Sequence, residues 1–177
     1  GAAGDLARVR AARAGAPDAR LVVDANEGWD LPTLEALAPR LAALGVELVE
    51  QPLPAGDDAA LADFVSPVPL CADESFHGGP EALDRLVGRY AAVNVKLDKQ
   101  GGLAPARDAL RRARALGFET LVGTMVATSL AVAPAVLLAA EAERADLDAA
   151  LFLAAAGRPG LRWEGAVVHP PAAALWG

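Results

Sequence analysis

The 177 residues are 54% hydrophobic and 22% charged, with a formal net charge of −7 at pH 7. This is enough apolar material for one sizeable core. With no cationic group denser than Arg111, Arg112 and Arg114, it leaves no electrostatic footprint for nucleic acid or an anionic membrane. A lone Cys71 excludes an internal disulfide and the distant pair His77 and His169 excludes zinc-ligand spacing, so any metal must be held by oxygen and a small-molecule partner is expected.

The first twenty residues read as a helix around Leu6–Ala14, carrying Asp5, Arg8, Arg10 and Arg13 and no apolar h-region. No signal peptide is therefore predicted, and a soluble cytoplasmic protein is expected. The abrupt start inside a helical pattern predicts that an upstream segment is absent. Runs rich in Val, Leu and Ala follow at Leu21–Asp24, Glu47–Glu50, Pro69–Asp73, Ala92–Leu97, Thr120–Met125 and Ala145–Asp148, and each reads as a buried strand. Between them lie helical patterns, as in Leu31–Leu44 and in Leu103–Leu116 with its C-cap glycine Gly117. The longest apolar run, Ser129 to Ala140, is too short to span a bilayer and contains Pro134, so it reads as a buried helix.

Asp24, Glu50, Asp73, Lys96, Gly123 and Asp146 mark the strand ends at spacings of 26, 23, 23, 27 and 23 residues. A period of about 25 residues is one βα unit. Apolar strands repeatedly separated by helices need a parallel sheet covered on both faces. The fold class is therefore α/β, a (β/α) barrel of the modified TIM type with about six to seven units, with a doubly wound sheet as the alternative. A complete barrel takes about 250 residues, so the barrel is expected to be incomplete and its open strand edges prone to pair with another copy. Residues 1–157 are assigned to the partial catalytic barrel, and residues 158–177, rich in Pro and Trp, to an irregular or β-like tail packing on the barrel or on an absent capping domain.

In a parallel barrel Asp24, Glu50 and Asp73 arrive at one C-terminal rim on neighbouring strands. One acidic strand end is usually a helix cap. Three in succession would repel one another in a low dielectric, and a hard divalent cation such as Mg²⁺ relieves this. Lys96 ends the next strand in the same register, either as a snorkelling or ion-paired lysine or as a base. Beside a cation its pKa falls and it can move a proton alpha to a carboxylate. Gly101 and Gly102 predict a turn beyond it.

The motifs Val23-Asp24-Ala25-Asn26, Val49-Glu50-Gln51-Pro52, Ala72-Asp73-Glu74-Ser75 and Asn94-Val95-Lys96-Leu97-Asp98-Lys99-Gln100-Gly101-Gly102 together resemble the muconate-lactonizing subgroup of the enolase superfamily, over essentially the whole chain. The resemblance implies one Mg²⁺ on Asp24, Glu50 and Asp73, Lys96 as one of two acid/base lysines, and Asn26, Gln51, Glu74 and Lys99 as supporting residues. The second lysine belongs to a Lys-x-Lys motif that these residues lack, and its strand is expected upstream of Gly1. Asp146-Leu147-Asp148 resembles the Asp-x-Asp signature of dipeptide epimerases, whose carboxylates bind the substrate ammonium; two residues along a strand face one side. Gly123–Ser129 resembles the same enzymes' seventh-strand loop, which places Thr124 and Met125 at the substrate. The implied activity is Mg²⁺-dependent epimerisation of a dipeptide by 1,1-proton transfer through an enediolate. The alternatives are an o-succinylbenzoate synthase, an N-acylamino acid racemase, a cycloisomerase, or an inactive metal-binding fragment. Trp29 reads either as pocket wall or as core.

Overall fold

The computed structural model describes residues 2–154 and 160–176, so the expected boundary at 157/158 lies outside the described residues. Six strands form one sheet whose order follows the chain: β1 (Leu21–Asp24), β2 (Val46–Glu50), β3 (Leu70–Ala72), β4 (Ala92–Lys96), β5 (Glu119–Gly123) and β6 (Arg144–Asp146). With parallel pairing and helical crossovers this is an incomplete (β/α) barrel, as the strand spacing predicts. Two compact units are distinguished: residues 1–77 with 84–93, and residues 78–83 with 94–177.

The first unit contains α1 (Ala2–Gly15), β1, α2 (Leu31–Ala43), β2, β3 and the first two residues of β4. Asp30 starts α2 by accepting a hydrogen bond from Thr33 N at 2.9 Å, and Gly45, with φ of 70°, turns the chain away after it. Leu34, Leu37, Ala38 and Leu41 recur at helical spacing and are all buried. Each of these leucines contributes about 1.5–3 kcal/mol of burial. The Arg13 guanidinium reaches out of α1 to five carbonyl oxygens, those of Ala16, Pro17, Ala19, Leu44 and Gly45. It thereby ties α1 to the turn between α2 and β2.

Two details differ from the expected pattern. The crossover after β2 is a 3₁₀ turn at Asp58–Asp63, and that after β3 is another at Pro80–Leu86. Prolines 52, 54, 67, 69 and 80 in these stretches lack backbone donors, which disfavours continuous helix. The Arg89–Asp58 ion pair, 2.9 Å and part-buried, secures the first of these turns. Strand β1 is also not buried throughout: its residues alternate and Val22 is 45% exposed, because β1 stands at one end of the strand order and has a single neighbour among the described residues.

The second unit contains the end of β4, α3 (Leu97–Gln100), α4 (Leu103–Ala115), β5, α5 (Ser129–Ala139), β6 and a hairpin of β7 (Trp163–Glu164) and β8 (Val167–Val168). The hairpin accounts for the β-like tail. Helix α5 buries Val132, Ala133, Ala135 and Leu138 but exposes Leu130 and Leu137, so it covers the sheet with one face rather than lying wholly inside. No helix among the described residues is long and apolar enough to cross a membrane. Strand β6 ends at Asp146, not Asp148. Leu147 is buried and has ψ of 10°, turning the chain into a 3₁₀ turn at Asp148–Phe152.

Candidate functional site

Within the first unit the three carboxylates occupy consecutive strand ends. Asp24 lies opposite Glu50 in the β1/β2 register, Glu50 lies opposite Cys71 in β2/β3, and Asp73 follows two residues later. A step of two preserves the side-chain face of an extended chain. Glu50 is 6% exposed and Asp73 3% exposed, whereas Asp24 is exposed and turned onto its own loop. There its carboxylate accepts hydrogen bonds from Asn26 N at 2.8 Å and Asn26 Nδ2 at 3.4 Å.

The donor chemistry fits a hard divalent cation: three carboxylates at adjacent parallel strand ends, two of them buried. The side chains are not already gathered, since among the described residues no group of three or more His, Cys, Asp or Glu converges as a metal ion requires.

Gln51, directly after Glu50, is fully buried and sits in the left-handed backbone region with φ of 32°. Such a conformation costs a non-glycine residue roughly 1–3 kcal/mol. Its side chain offsets this with hydrogen bonds at both ends of the amide. Oε1 accepts from Asp73 N at 2.9 Å and Ser75 N at 3.0 Å, while the two hydrogens of Nε2 are shared among three acceptors, Leu53 O at 2.8 Å, Ser75 Oγ at 2.9 Å and Tyr90 Oη at 3.1 Å. Burial pushes the Tyr90 hydroxyl up to about 12, with the nearby Asp58 charge adding to the rise and the bonds to Ser75 and Gln51 opposing it. Ser75 and Tyr90 were not legible as part of this cluster, because the contact joins residues 24 and 39 positions beyond Gln51. A solitary tyrosine in the chain was the one available signal.

Trp29 is buried, and its indole N–H donates to Asp5 at 2.9 Å. That bond holds the Asp5 carboxyl below the usual range. Trp29, Asp5, Val22 and Asp24 line a cleft of about 360 Å³ beside β1. Glu74 is half-buried, Phe76 fully buried and His77 exposed.

In the second unit Lys96, half-buried, ends β4 and precedes α3, after which Gly101 and Gly102 take φ of 85° and 117°. Lys99 lies on α3, half-buried. Thr124 follows β5, and its Oγ1 is buried without a hydrogen-bond partner among the described residues; Met125 is exposed. Such a hydroxyl is completed by a ligand or water. Asp146 and Asp148 do not share a strand face, since Leu147 turns the chain between them. Both are exposed, and both line a cleft of about 370 Å³ with Trp163 and Val168.

The sequence profile of the family described as "Enolase C-terminal domain-like" matches residues 1–173. The chain belongs to that family. It is 45% identical over 172 residues to an N-acetyl-D-glutamate racemase from Pseudoalteromonas, covering 97% of this chain and 54% of the relative. It is 47% identical over 162 residues to an L-Ala-D/L-Glu epimerase from Escherichia coli, covering 92% and 50%. Among solved structures, an enolase family member from Agrobacterium tumefaciens with homology to dipeptide epimerases, holding sodium and L-Ala-L-Glu, superposes with a TM-score of 0.93 at 51% identity, covering 97% of this chain and 52% of that one. A dipeptide epimerase from Enterococcus faecalis, complexed with Mg and L-Leu-L-Tyr, has a TM-score of 0.84 at 32% identity, covering 92% and 48%. The chain spans about half the length of the curated relatives it matches.

Proposed function

We propose that this chain supplies the metal-binding strands and one acid/base lysine of an isomerase that epimerises a dipeptide at the alpha carbon next to its carboxylate. The observation that carries the reading is the succession of Asp24, Glu50 and Asp73 on three parallel strand ends with Lys96 ending the fourth, in a chain 47% identical to a dipeptide epimerase. Asp24, Glu50 and Asp73 would hold Mg²⁺. When bound, the cation draws charge from the substrate carboxylate and acidifies the adjacent C–H. The Lys96 amine removes the alpha proton on one face of the carbon, or returns it there. Asp146 and Asp148 bind the substrate ammonium, and the Thr124 hydroxyl completes its hydrogen bonding on the substrate.

Incubating the intact protein with L-Ala-L-Glu and Mg²⁺ in D₂O tests this. Deuterium should enter at the glutamate alpha carbon, followed by ¹H NMR. Lys96→Ala should slow that exchange by about 10²–10⁴-fold, the usual contribution of a general base. Unchanged exchange in Lys96→Ala removes the lysine from the mechanism, and no exchange with any dipeptide tried sinks the activity.

The similarity to the N-acetyl-D-glutamate racemase favours a second reading, an N-acylamino acid racemase. N-acylation removes the cation that the two aspartates would bind. Asp146→Asn should therefore lower kcat/KM for L-Ala-L-Glu by roughly tenfold or more. If N-acetylglutamate turns over faster than the dipeptide and is indifferent to Asp146→Asn, the second reading replaces the first.

A further inference from the structure

We infer that Gln51 is a positioning residue for the cation site, holding the Asp73 carboxylate in place relative to Glu50; this rests on the metal-site reading above. Glu50 and Gln51 are consecutive, so any displacement of the Gln51 backbone moves Glu50. The side chain of Gln51 reaches across to the end of β3, where its single oxygen accepts the amide hydrogens of both Asp73 and Ser75. These two bonds bracket Glu74 and fix the bend that carries Asp73 out of β3. The amide nitrogen shares its two hydrogens among Leu53 O, Ser75 Oγ and Tyr90 Oη, so a flip would set it against the two backbone N–H groups and leave Leu53 O facing the amide oxygen.

A carboxylate could not satisfy both ends, because it has no hydrogen to donate, and an ammonium could not accept. The primary amide alone offers an acceptor toward Asp73 and donors toward Tyr90 from one planar group. Its full burial excludes water from replacing either end. Gln51 therefore acts on the cation through the spacing of two ligands, with no contact of its own.

Mn²⁺ affinity, read by EPR of the free ion, is the test, with metal-free thermal unfolding measured on the same samples. Gln51→Met keeps the side-chain length but removes every polar atom. It should raise the Kd for Mn²⁺ by about 10–100-fold, the range for loss of an outer hydrogen-bonding partner of a metal ligand, and alter the bound Mn²⁺ line shape. Arg13→Met, which loosens α1 far from the carboxylates, serves as the destabilised control and should leave Kd within about twofold. Equal affinities in Gln51→Met and wild type overturn the inference. No Mn²⁺ binding by wild type overturns the metal-site reading instead. Should Gln51→Met fail to fold, hydrogen exchange in wild type decides: Mn²⁺ should slow exchange of the Asp73 and Ser75 amides, and no change in either overturns the inference.

Discussion

Asp24, Glu50 and Asp73 differ in surroundings and should differ in what their substitution costs. Glu50→Gln and Asp73→Asn each remove a buried proposed ligand, so stabilisation by Mg²⁺ should vanish in both. In wild type that stabilisation should be about 2.7 kcal/mol at one hundred times Kd, read as a shift in the denaturation midpoint. Asp24→Asn should retain part of it, because Asp24 is exposed and already engaged with Asn26. At the same scale, the Tyr90 hydroxyl stays protonated until pH approaches about 12. Its folded pKa lies above its unfolded value, so this contribution is complete below pH 10 and is lost as pH rises toward 12. Ultraviolet titration of Tyr90→Phe against wild type isolates that ionisation. The strand-end positions of the carboxylates and Lys96 were legible because each follows an apolar run at a regular interval. Gln51 was expected only as a supporting residue; its contacts with Asp73, Ser75 and Tyr90 were not legible, since they depend on a side chain reaching a neighbouring strand, and no spacing along the chain encodes that reach. The placement of Asp148 on a continuing strand was misjudged for a related reason: Leu147 belongs to the core and turns the chain, where alternation predicted that β6 ran on.

Among the elements, α1 is tied to the turn before β2 by one side chain, Arg13. Arg13→Met leaves the carbonyls of Leu44 and Gly45 without that donor and should lower stability by about 1.5–3 kcal/mol, measured by urea denaturation. The start of β6 is held differently. Burial pushes the Glu143 carboxyl up, but hydrogen bonds from the Thr120 side chain and backbone, with the Arg114 guanidinium, outweigh this and bring it down to about 2. A depressed pKa means that the unfolded chain binds the proton more readily. The contribution is therefore present above pH 4.5 and lost as pH falls toward 2. Because Glu143 is largely exposed, screening limits the effect to about 1 kcal/mol or less. Glu143→Gln should flatten the stability profile across that window and nowhere else. The element types came through well where periodicity was long, as in α2 and α4. They failed at the crossovers after β2 and β3, where a βα spacing persisted although prolines confined the intervening chain to 3₁₀ turns.

For the molecule as a whole, strand order in register with chain order is what the regular spacing foretold, and the sheet meets it from β1 to β6. What spacing could not foretell is that exposure rises at both ends of that order, in Val22 of β1 and in Ala145 and Asp146 of β6. All three proposed ligands belong to the first compact unit. Saturating Mg²⁺ should accordingly raise amide protection across residues 21–73 more than across residues 119–146, which hydrogen exchange with mass spectrometry can resolve. Equal gains in both regions would mean that the cation is felt uniformly and that the first unit is not its seat. In the second unit, Gly123 ends β5 opposite Asp146, and a Cβ added there would lie 2.7 Å from Asn94 Oδ1 and 2.8 Å from Asn94 Nδ2. A side chain at 123 therefore forces the buried Asn94 amide to move or to give way to a smaller group, so among descendants of this chain a larger residue at 123 should be found with a changed residue at 94.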